Sequence, residues 1–385
     1  LDIYKKSLEH HKKWQGKIST HVKSTVQNKE DLSLAYTPGV AAPCKEIVKN
    51  PDNLYDYTIK GNTIAIVSDG SAVLGLGNIG PQAALPVMEG KAVLFKEFAN
   101  LNAFPICLDT QDSDEIIQTV INISPVFGGI NLEDISAPRC FYIEKRLKEV
   151  LDIPVFHDDQ HGTAVVVLAA IINALKLVDK PVKECKVVIN GAGAAGIAIA
   201  KLLVGYGFEK VVLCDINGAL YEGTNNLNEE QILMAKITNP LNEKGDLRKI
   251  IVNSDIFIGV SAPDIVDEKM ISSMNRDAIV FAMANPVPEI SPQKALKAGA
   301  KIVGTGRSDF PNQVNNVLAF PGIMKAAVEV RKQITDEVKM KAAQALAAFL
   351  PEDQLTVNKI LPYPFEKGIA QYIANEVKAF FSLEI

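Results

Sequence analysis

The sequence predicts an α/β fold: an N-terminal α/β domain over residues 1–160, then a Rossmann-type dinucleotide-binding domain over residues 161–385. Three observations predict it. From about residue 163 short β-rich runs alternate with helical segments, the pattern of a parallel sheet covered on both faces. GAGAAG (191–196) stands between a β-rich run and an apolar helix. Before residue 155 the texture is different, with short apolar runs broken by Gly and Pro.

Along the chain, KKSLEHHKKW mixes lysines with Glu9 and reads as a solvated helix face. TIAIVSDG (63–70) and AFPICLDT (103–110) read as buried strands ending in turn-formers. GLGNIG (75–80) is followed by Pro81 and Pro86, so no long helix is expected to start cleanly there; its glycines suit a structural turn or a substrate contact equally. DSDEIIQTVINIS (112–124) opens with acidic residues, as an amphipathic helix does. A helix over 163–177 leads into KVVI, KVVLC, DIFIGVS, AIVFAMA and KIVGTG, the strands of the second sheet. Residues 324–350 give one or two helices ended by Pro351, and 364–381 a last amphipathic helix. That C-terminal stretch, 360–385, is expected to pack back on the first domain.

Composition bounds the function. Of 385 residues 48% are hydrophobic and 22% charged, ordinary globular values, and the formal net charge is −5. With no long basic run, nucleic acid and anionic membrane are poor partners. The apolar run AVVVLAAIINAL (164–175) is too short to span a bilayer, and no leader segment is expected. Five scattered cysteines without a C-x-x-C pair point to reduced thiols and a cytoplasmic protein.

GAGAAG follows KVVI directly and opens GIAIAKLLVGYG; the next strand ends in Asp215. Gly191 permits the tight turn, Gly193 lets a pyrophosphate approach the helix N-terminus, and Gly196 allows close helix–strand packing. Ala192, Ala194 and Ala195 complete this cofactor-binding turn, and Asp215 would accept hydrogen bonds from the adenosine ribose. Ile216, Asn217 and Gly218 offer no cation for a 2′-phosphate, which favours NAD while leaving NADP open.

Two acidic pairs stand where apolar runs end: Glu133–Asp134 in GGINLEDISAP, and Asp158–Asp159 in VFHDDQHGTA. Converging, they would repel unless a cation neutralised them, and oxygen ligands suit Mg2+ or Mn2+. Alone, each pair could instead cap a helix or face solvent. His157 and His161 have the spacing of a zinc-protease helix but lack its glutamate, and Gly162 disfavours a continuous helix.

These pieces together resemble the malic enzyme family in its short bacterial form. LAYTPGVAAPC (34–44), VSDGSAVLGLGNIGPQAALPVMEGKAVLFK (67–96), NLEDI, FHDDQHGTA, INGAGAAG, ANP (284–286) and FPNQVNNVLAFPG (310–322) match its motifs in order over nearly the whole chain. The resemblance implies oxidative decarboxylation of L-malate to pyruvate and CO2 with NAD(P) and Mg2+ or Mn2+, and oxaloacetate decarboxylation as a side activity. It implies Tyr36 as general acid, Lys91 as general base, and Asp158 beside Lys91 for proton handling. Glu133, Asp134 and Asp159 become metal ligands; Asn285, Asn315 and Asn316 contact substrate or the nicotinamide end. The chemistry requires the Lys91 pKa to be brought down toward neutrality, by partial burial and the nearby cation.

The resemblance also implies a homodimer, in which a neighbouring subunit could contribute to the site. One departure stands out: where the large eukaryotic malic enzymes carry a carboxylate-gripping arginine, this chain has Ala72. A malolactic-type enzyme, which retains NAD and releases lactate, shares the same motifs. A non-catalytic dinucleotide sensor predicts loss of Tyr36, Lys91 or the carboxylates, and all are present.

Overall fold

The computed structural model describes residues 2–73 and 75–383. Four short helices come first: α1 (Ile3–Trp14), α2 (Lys29–Ala35), α3 (Ala41–Lys49) and α4 (Asn53–Tyr57). The first sheet is built by β1 (Thr63–Ser68), α5 (Pro81–Ala99), β2 (Asn102–Cys107), α6 (Ser113–Ile123), β3 (Gly129–Leu132), α7 (Arg139–Val150) and β4 (Val155–His157). Its four strands are all parallel, in the order β2-β1-β3-β4.

α5 begins directly after GLGNIG, against the expectation from its two prolines. Pro81 sits in the first turn, where its missing N–H has no helical partner anyway, and Pro86 is accommodated inside the helix.

α8 (Asp158–Val178) joins the halves. It starts five residues earlier than the expected 163 and runs unbroken through Gly162. Twenty-one residues long, it is apolar enough to cross a membrane by length and composition, contrary to the reading of its apolar run as too short. Fourteen of its residues are buried, however, and it packs against α9 and α15, so it is a core helix.

The second sheet follows through β5 (Lys186–Asn190), α9 (Ala194–Tyr206), β6 (Lys210–Asp215), β7 (Gly218–Ala219), α10 (Glu229–Ile237), α11 (Leu247–Ile250), β8 (Ile256–Gly259), α12 (Glu268–Ser272), β9 (Ile279–Ala282), α13 (Pro292–Lys297) and β10 (Ile302–Thr305). The strand order is β10-β9-β8-β5-β6-β7, parallel except for the edge pair β6–β7. Successive crossovers run outward on both sides of β5, so the crevice beyond β5 and β8 is the topological switch point where open α/β sheets bind ligands.

Three helices close the chain: α14 (Phe320–Val330), α15 (Asp336–Phe349) and α16 (Ile369–Leu383). α16 lies against α14 and α15 and touches α5. Buried Asn173 on α8 donates to the Ala347 and Ile360 carbonyls, both at 3.0 Å, which fixes α15 and the loop before α16. One continuous apolar core fills the space between the sheets. Smaller clusters cover the outer face of each.

Candidate active site

Sheet register explains why two acidic pairs far apart in sequence meet. β3 and β4 are parallel neighbours, and Leu132 lies opposite His157. Glu133–Asp134 and Asp158–Asp159 therefore leave adjacent strand ends at the same level, roughly 4.8 Å apart. Glu133, Asp134 and Asp159 bring carboxylate oxygens within 4.8 Å of one another. Asp134 takes a left-handed backbone, φ +55°, which an aspartate tolerates; its N–H donates to Asp159 Oδ2 at 2.8 Å.

Lys91 reaches this cluster from α5. Its Nζ lies 2.5 Å from Asp158 Oδ2 and 2.8 Å from Glu133 Oε1. The Phe320 ring covers the ammonium at 4.2 Å from its centroid, and Asn316 Nδ2 donates to the same Asp158 oxygen at 2.5 Å. Lys91 is only 8% exposed and Asp158 fully buried.

The electrostatics are unbalanced. Burial raises the Asp134 pKa to about 9, with the Asp159 and Glu133 charges adding to the shift. Burial also raises Asp158 to about 6 against the pull of Lys91, and raises Glu133. Burial acts to lower Lys91, but Asp158 and Glu133 outweigh it and hold the ammonium protonated. The expected lowering toward neutrality is thus absent while both carboxylates face Lys91 alone. Asp134 Oδ2 and Asp158 Oδ1 are buried without a hydrogen-bond partner. Unpaired buried acceptors within a carboxylate cluster fit a hard divalent cation.

The histidines lie elsewhere in the network. His161 Nε2 is 2.8 Å from both oxygens of buried Glu144 on α7. Burial outweighs that carboxylate and lowers the imidazole to about 3, leaving a neutral N–H donor. Burial opposes ionisation of Glu144, yet His161 and Lys148 hold it well below its usual range. His157 is fully buried beneath the cluster, with Nε2 3.7 Å from Asp159 Oδ2.

The dinucleotide turn is set by packing. Gly191 has φ +121°, and a Cβ there would lie 2.5 Å from the Val260 carbonyl oxygen; a Cβ on Gly196 would lie 1.7 Å from the Gly191 carbonyl oxygen. A Cβ on Gly193 meets nothing within 4 Å, so this side is open to a ligand. Ala192 leads into the turn, and Ala194 and Ala195 open α9. Asp215 ends β6, its Oδ1 accepting from the Asn217 N–H at 2.7 Å.

The other candidates separate. Asn316 is at Lys91–Asp158, whereas Asn315 caps the following turn by accepting from the Val317 N–H. The Asn285 carbonyl backs onto Gly75, where a Cβ would come within 2.6 Å of it, so the two loops touch across the halves. Arg139 reaches the turn before Ala72, donating to Ser71 Oγ at 2.9 Å, but Asp69 meets its charge at 2.8 Å. Tyr36 stands apart: it is 67% exposed at the end of α2, and no tyrosine hydroxyl among the described residues bonds to Lys91, Asp158 or Glu133. Sequence reasoning missed Phe320, Asn131 and Glu144. Asn131 Nδ2 holds Glu133 Oε2 at 2.8 Å; its position two residues before Glu133, on the same side of the strand, was the available signal.

Residues 15–115 and 110–148 match the family model described as malic enzyme, N-terminal domain, and residues 160–379 match malic enzyme, NAD binding domain. The chain belongs to the malic enzyme family. It is 55% identical over 379 residues to a bifunctional malic/malolactic enzyme of Bacillus subtilis (strain 168), covering 98% of this chain and 92% of that one. An NAD-dependent malic enzyme of Geobacillus stearothermophilus is 55% identical over 363 residues, covering 94% and 76%. A solved structure of an NAD-dependent malic enzyme from Thermotoga maritima superposes with a TM-score of 0.94 at 51% identity, covering 97% and 98%.

Proposed function

We propose that this malic enzyme family member converts L-malate and NAD+ to pyruvate, CO2 and NADH with a divalent cation, and decarboxylates oxaloacetate as a side activity. One observation carries the reading: Lys91 is clamped between Asp158 and Glu133 at the edge of a three-carboxylate cluster. Residues 1–160 form the substrate and metal half, with the C-terminal helix returning to it, and 161–385 the cofactor half. The enzyme works as a homodimer in a reducing cytoplasm; five free cysteines, three of them buried, suit that compartment.

Glu133, Asp134 and Asp159 would hold Mg2+ or Mn2+. When bound, the cation supplies positive charge that acidifies the malate 2-hydroxyl and stabilises charge on the substrate. With Glu133 so engaged, Lys91 would keep Asp158 as its one full ion-pair partner, and its burial would act to lower its pKa. Lys91 takes the 2-hydroxyl proton as hydride leaves C2 for the nicotinamide. Asp158, locked by Asn316, orients Lys91 and shares its proton. Tyr36 delivers a proton to C3 after CO2 departs and recovers it through Lys91. The turn Gly191–Gly196 seats the pyrophosphate and Asp215 the ribose, which favours NAD over NADP. Asn285, at the loop touching Gly75, and Asn315 with Asn316 face the substrate and nicotinamide end.

The malolactic outcome is the second reading, favoured by the bifunctional name of the Bacillus subtilis relative. Products separate the two: free NADH with pyruvate supports the malic reaction, and lactate without net NADH the malolactic one. Absence of both products with Mn2+, malate and either dinucleotide refutes the proposed function.

A further inference from the structure

We propose that the buried carboxylate of Glu289 underlies the nicotinamide half of the cofactor site, where its charge favours NAD+ over NADH. The inference deepens the proposed function and rests on its placement of the pyrophosphate at Gly191–Gly196 and the ribose at Asp215.

Topology separates the two halves of the dinucleotide. The turn after β5 takes the pyrophosphate, and Asp215 at the end of β6 takes the adenosine side. β6 flanks β5 on one side, and β8 with β9 beyond it on the other. The nicotinamide half therefore falls over the ends of β8 and β9. Glu289 belongs to this side, in the segment between β9 and α13, and is fully buried. Its Oε1 accepts from the Ser261 N–H in the loop after β8, and its Oε2 from the Ala284 N–H after β9, both at 3.0 Å. Ala284 immediately precedes Asn285.

Gly259 makes room for the carboxylate. It ends β8, opposite Asn190 of β5 and Ala282 of β9, and a Cβ there would lie 2.4 Å from Glu289 Cδ. The carboxylate thus sits at the level of the strand ends, where the dinucleotide turn starts. Contacts run across this level. Asn190 Nδ2 donates to Ser261 Oγ at 2.7 Å, and Gly191 backs onto the Val260 carbonyl. Glu289 completes the floor from the pyrophosphate turn to the loop that carries Asn285, and in this respect is a positioning residue.

The frame also holds a charge. Both oxygens of Glu289 face N–H donors, the pattern of an ionised carboxylate, which accepts only. Burial raises its pKa against the pull of the Ser261 and Ala284 N–H groups, and no ion pair among the described residues includes it. A carboxylate without a cation of its own acts on the charge placed over it. The nicotinamide ring is positive in NAD+ and neutral in NADH, so Glu289 holds the oxidised cofactor more tightly than the reduced one. That order suits malate oxidation, which loads NAD+ and releases NADH.

The experiment is calorimetric titration of NAD+ and of NADH, without malate, into wild type, Glu289→Gln and Glu289→Asp. Glutamine keeps the length and removes the charge, whereas aspartate keeps the charge and removes a methylene. In Glu289→Gln the Kd for NAD+ should rise about tenfold, the effect of one nearby charge, with that for NADH within about threefold of wild type. A tenfold change in their ratio raises the potential of the bound nicotinamide couple by about 30 mV. In Glu289→Asp the two Kd values should rise together and keep their ratio. Glu289→Met, equally long and neutral, replaces Glu289→Gln if that variant does not fold. Equal weakening of both dinucleotides in the neutral variant, or no weakening, overturns the inference and leaves the proposed reaction standing. A ratio that shifts as far in Glu289→Asp as in the neutral variant also overturns it. Wild type that binds neither dinucleotide overturns the cofactor seat and this inference with it.

Discussion

Gly162→Ala tests the site through a single methyl group. Gly162 lies one helical turn after Asp158, and a Cβ there would fall 1.8 Å from Asp158 Oδ1 and 3.2 Å from Asn316 Cβ. The carboxylate has to move, yet its other oxygen is held by Lys91 and Asn316, both at 2.5 Å. Overpacking of this kind costs ~1–3 kcal/mol, and a weakened charge-assisted hydrogen bond adds ~1.5–3 kcal/mol. Alanine returns ~1 kcal/mol of helix propensity. The net expectation is destabilisation by about 1.5–5 kcal/mol, a melting temperature lower by about 2–6 °C. Displacing Asp158 by about 1 Å also misplaces Lys91, which costs on the order of 100-fold in kcat. Initial rates of NADH formation and a thermal melt measure both. Gly90→Ala is the control: it neighbours Lys91 on α5, its Cβ meets nothing within 4 Å, and it should raise the melting temperature. If Gly162→Ala melts higher than wild type and keeps kcat within about threefold, the Asp158 clamp is not what positions Lys91.

Three further expectations concern other parts of the site. Asp215→Ala should reduce kcat/KM for NAD+ by about 10–100-fold, the value of a charged hydrogen bond, and leave that for NADP+ nearly unchanged; equal losses would sink the assignment. Mn2+ at about 100 times its Kd should stabilise the wild type by ~2.7 kcal/mol, and Asp134→Asn should remove most of that rise in melting temperature. Unchanged Mn2+ affinity in this variant, read from the electron paramagnetic resonance of free Mn2+, would exclude Asp134 as a ligand. His161 titrates near 3 when folded against 6.5 unfolded, so the folded state binds fewer protons and stability falls as pH drops below 6.5. His161→Gln should flatten the melting temperature between pH 6.5 and 4.5, whereas an unchanged slope would place that pH dependence elsewhere.

Local pattern carried much of the fold. The glycine turn, the strands from KVVI to KIVGTG, and the terminal helices stand where periodicity and turn residues put them. What pattern could not resolve depended on competition between local signals. Pro81 and Gly162 both read as helix breakers, but one sits at a position with no N–H to lose and the other lies under a side chain that needs its missing Cβ. At the site, motif order picked out the carboxylates and Lys91. It could not separate Asn315 from Asn316, which share a motif and face different partners, nor reveal that His161 serves Glu144. Tyr36 was visible as a motif, and its distance from Lys91 was not, because motif order carries no information on how far the short N-terminal helices stand from the sheet.

The register that unites the carboxylates also sets their cost. Because Leu132 pairs with His157, the residues after them must emerge side by side, and of the four carboxylates only Glu133 and Asp158 pair with the one buried lysine. The fold cannot relax this by moving a loop, since the pairs leave the strands directly and Asp158 already begins α8. Protonation is the remaining outlet: burial, with the Asp159 and Glu133 charges adding to it, raises the Asp134 pKa to about 9. Protonation does nothing for Lys91, which keeps its partners and its proton. A divalent cation at Glu133, Asp134 and Asp159 would supply the positive charge that this cluster lacks. The register of β3 and β4 therefore fixes both the carboxylate cluster and the clamp on Lys91, and Glu133 is the one side chain common to the two.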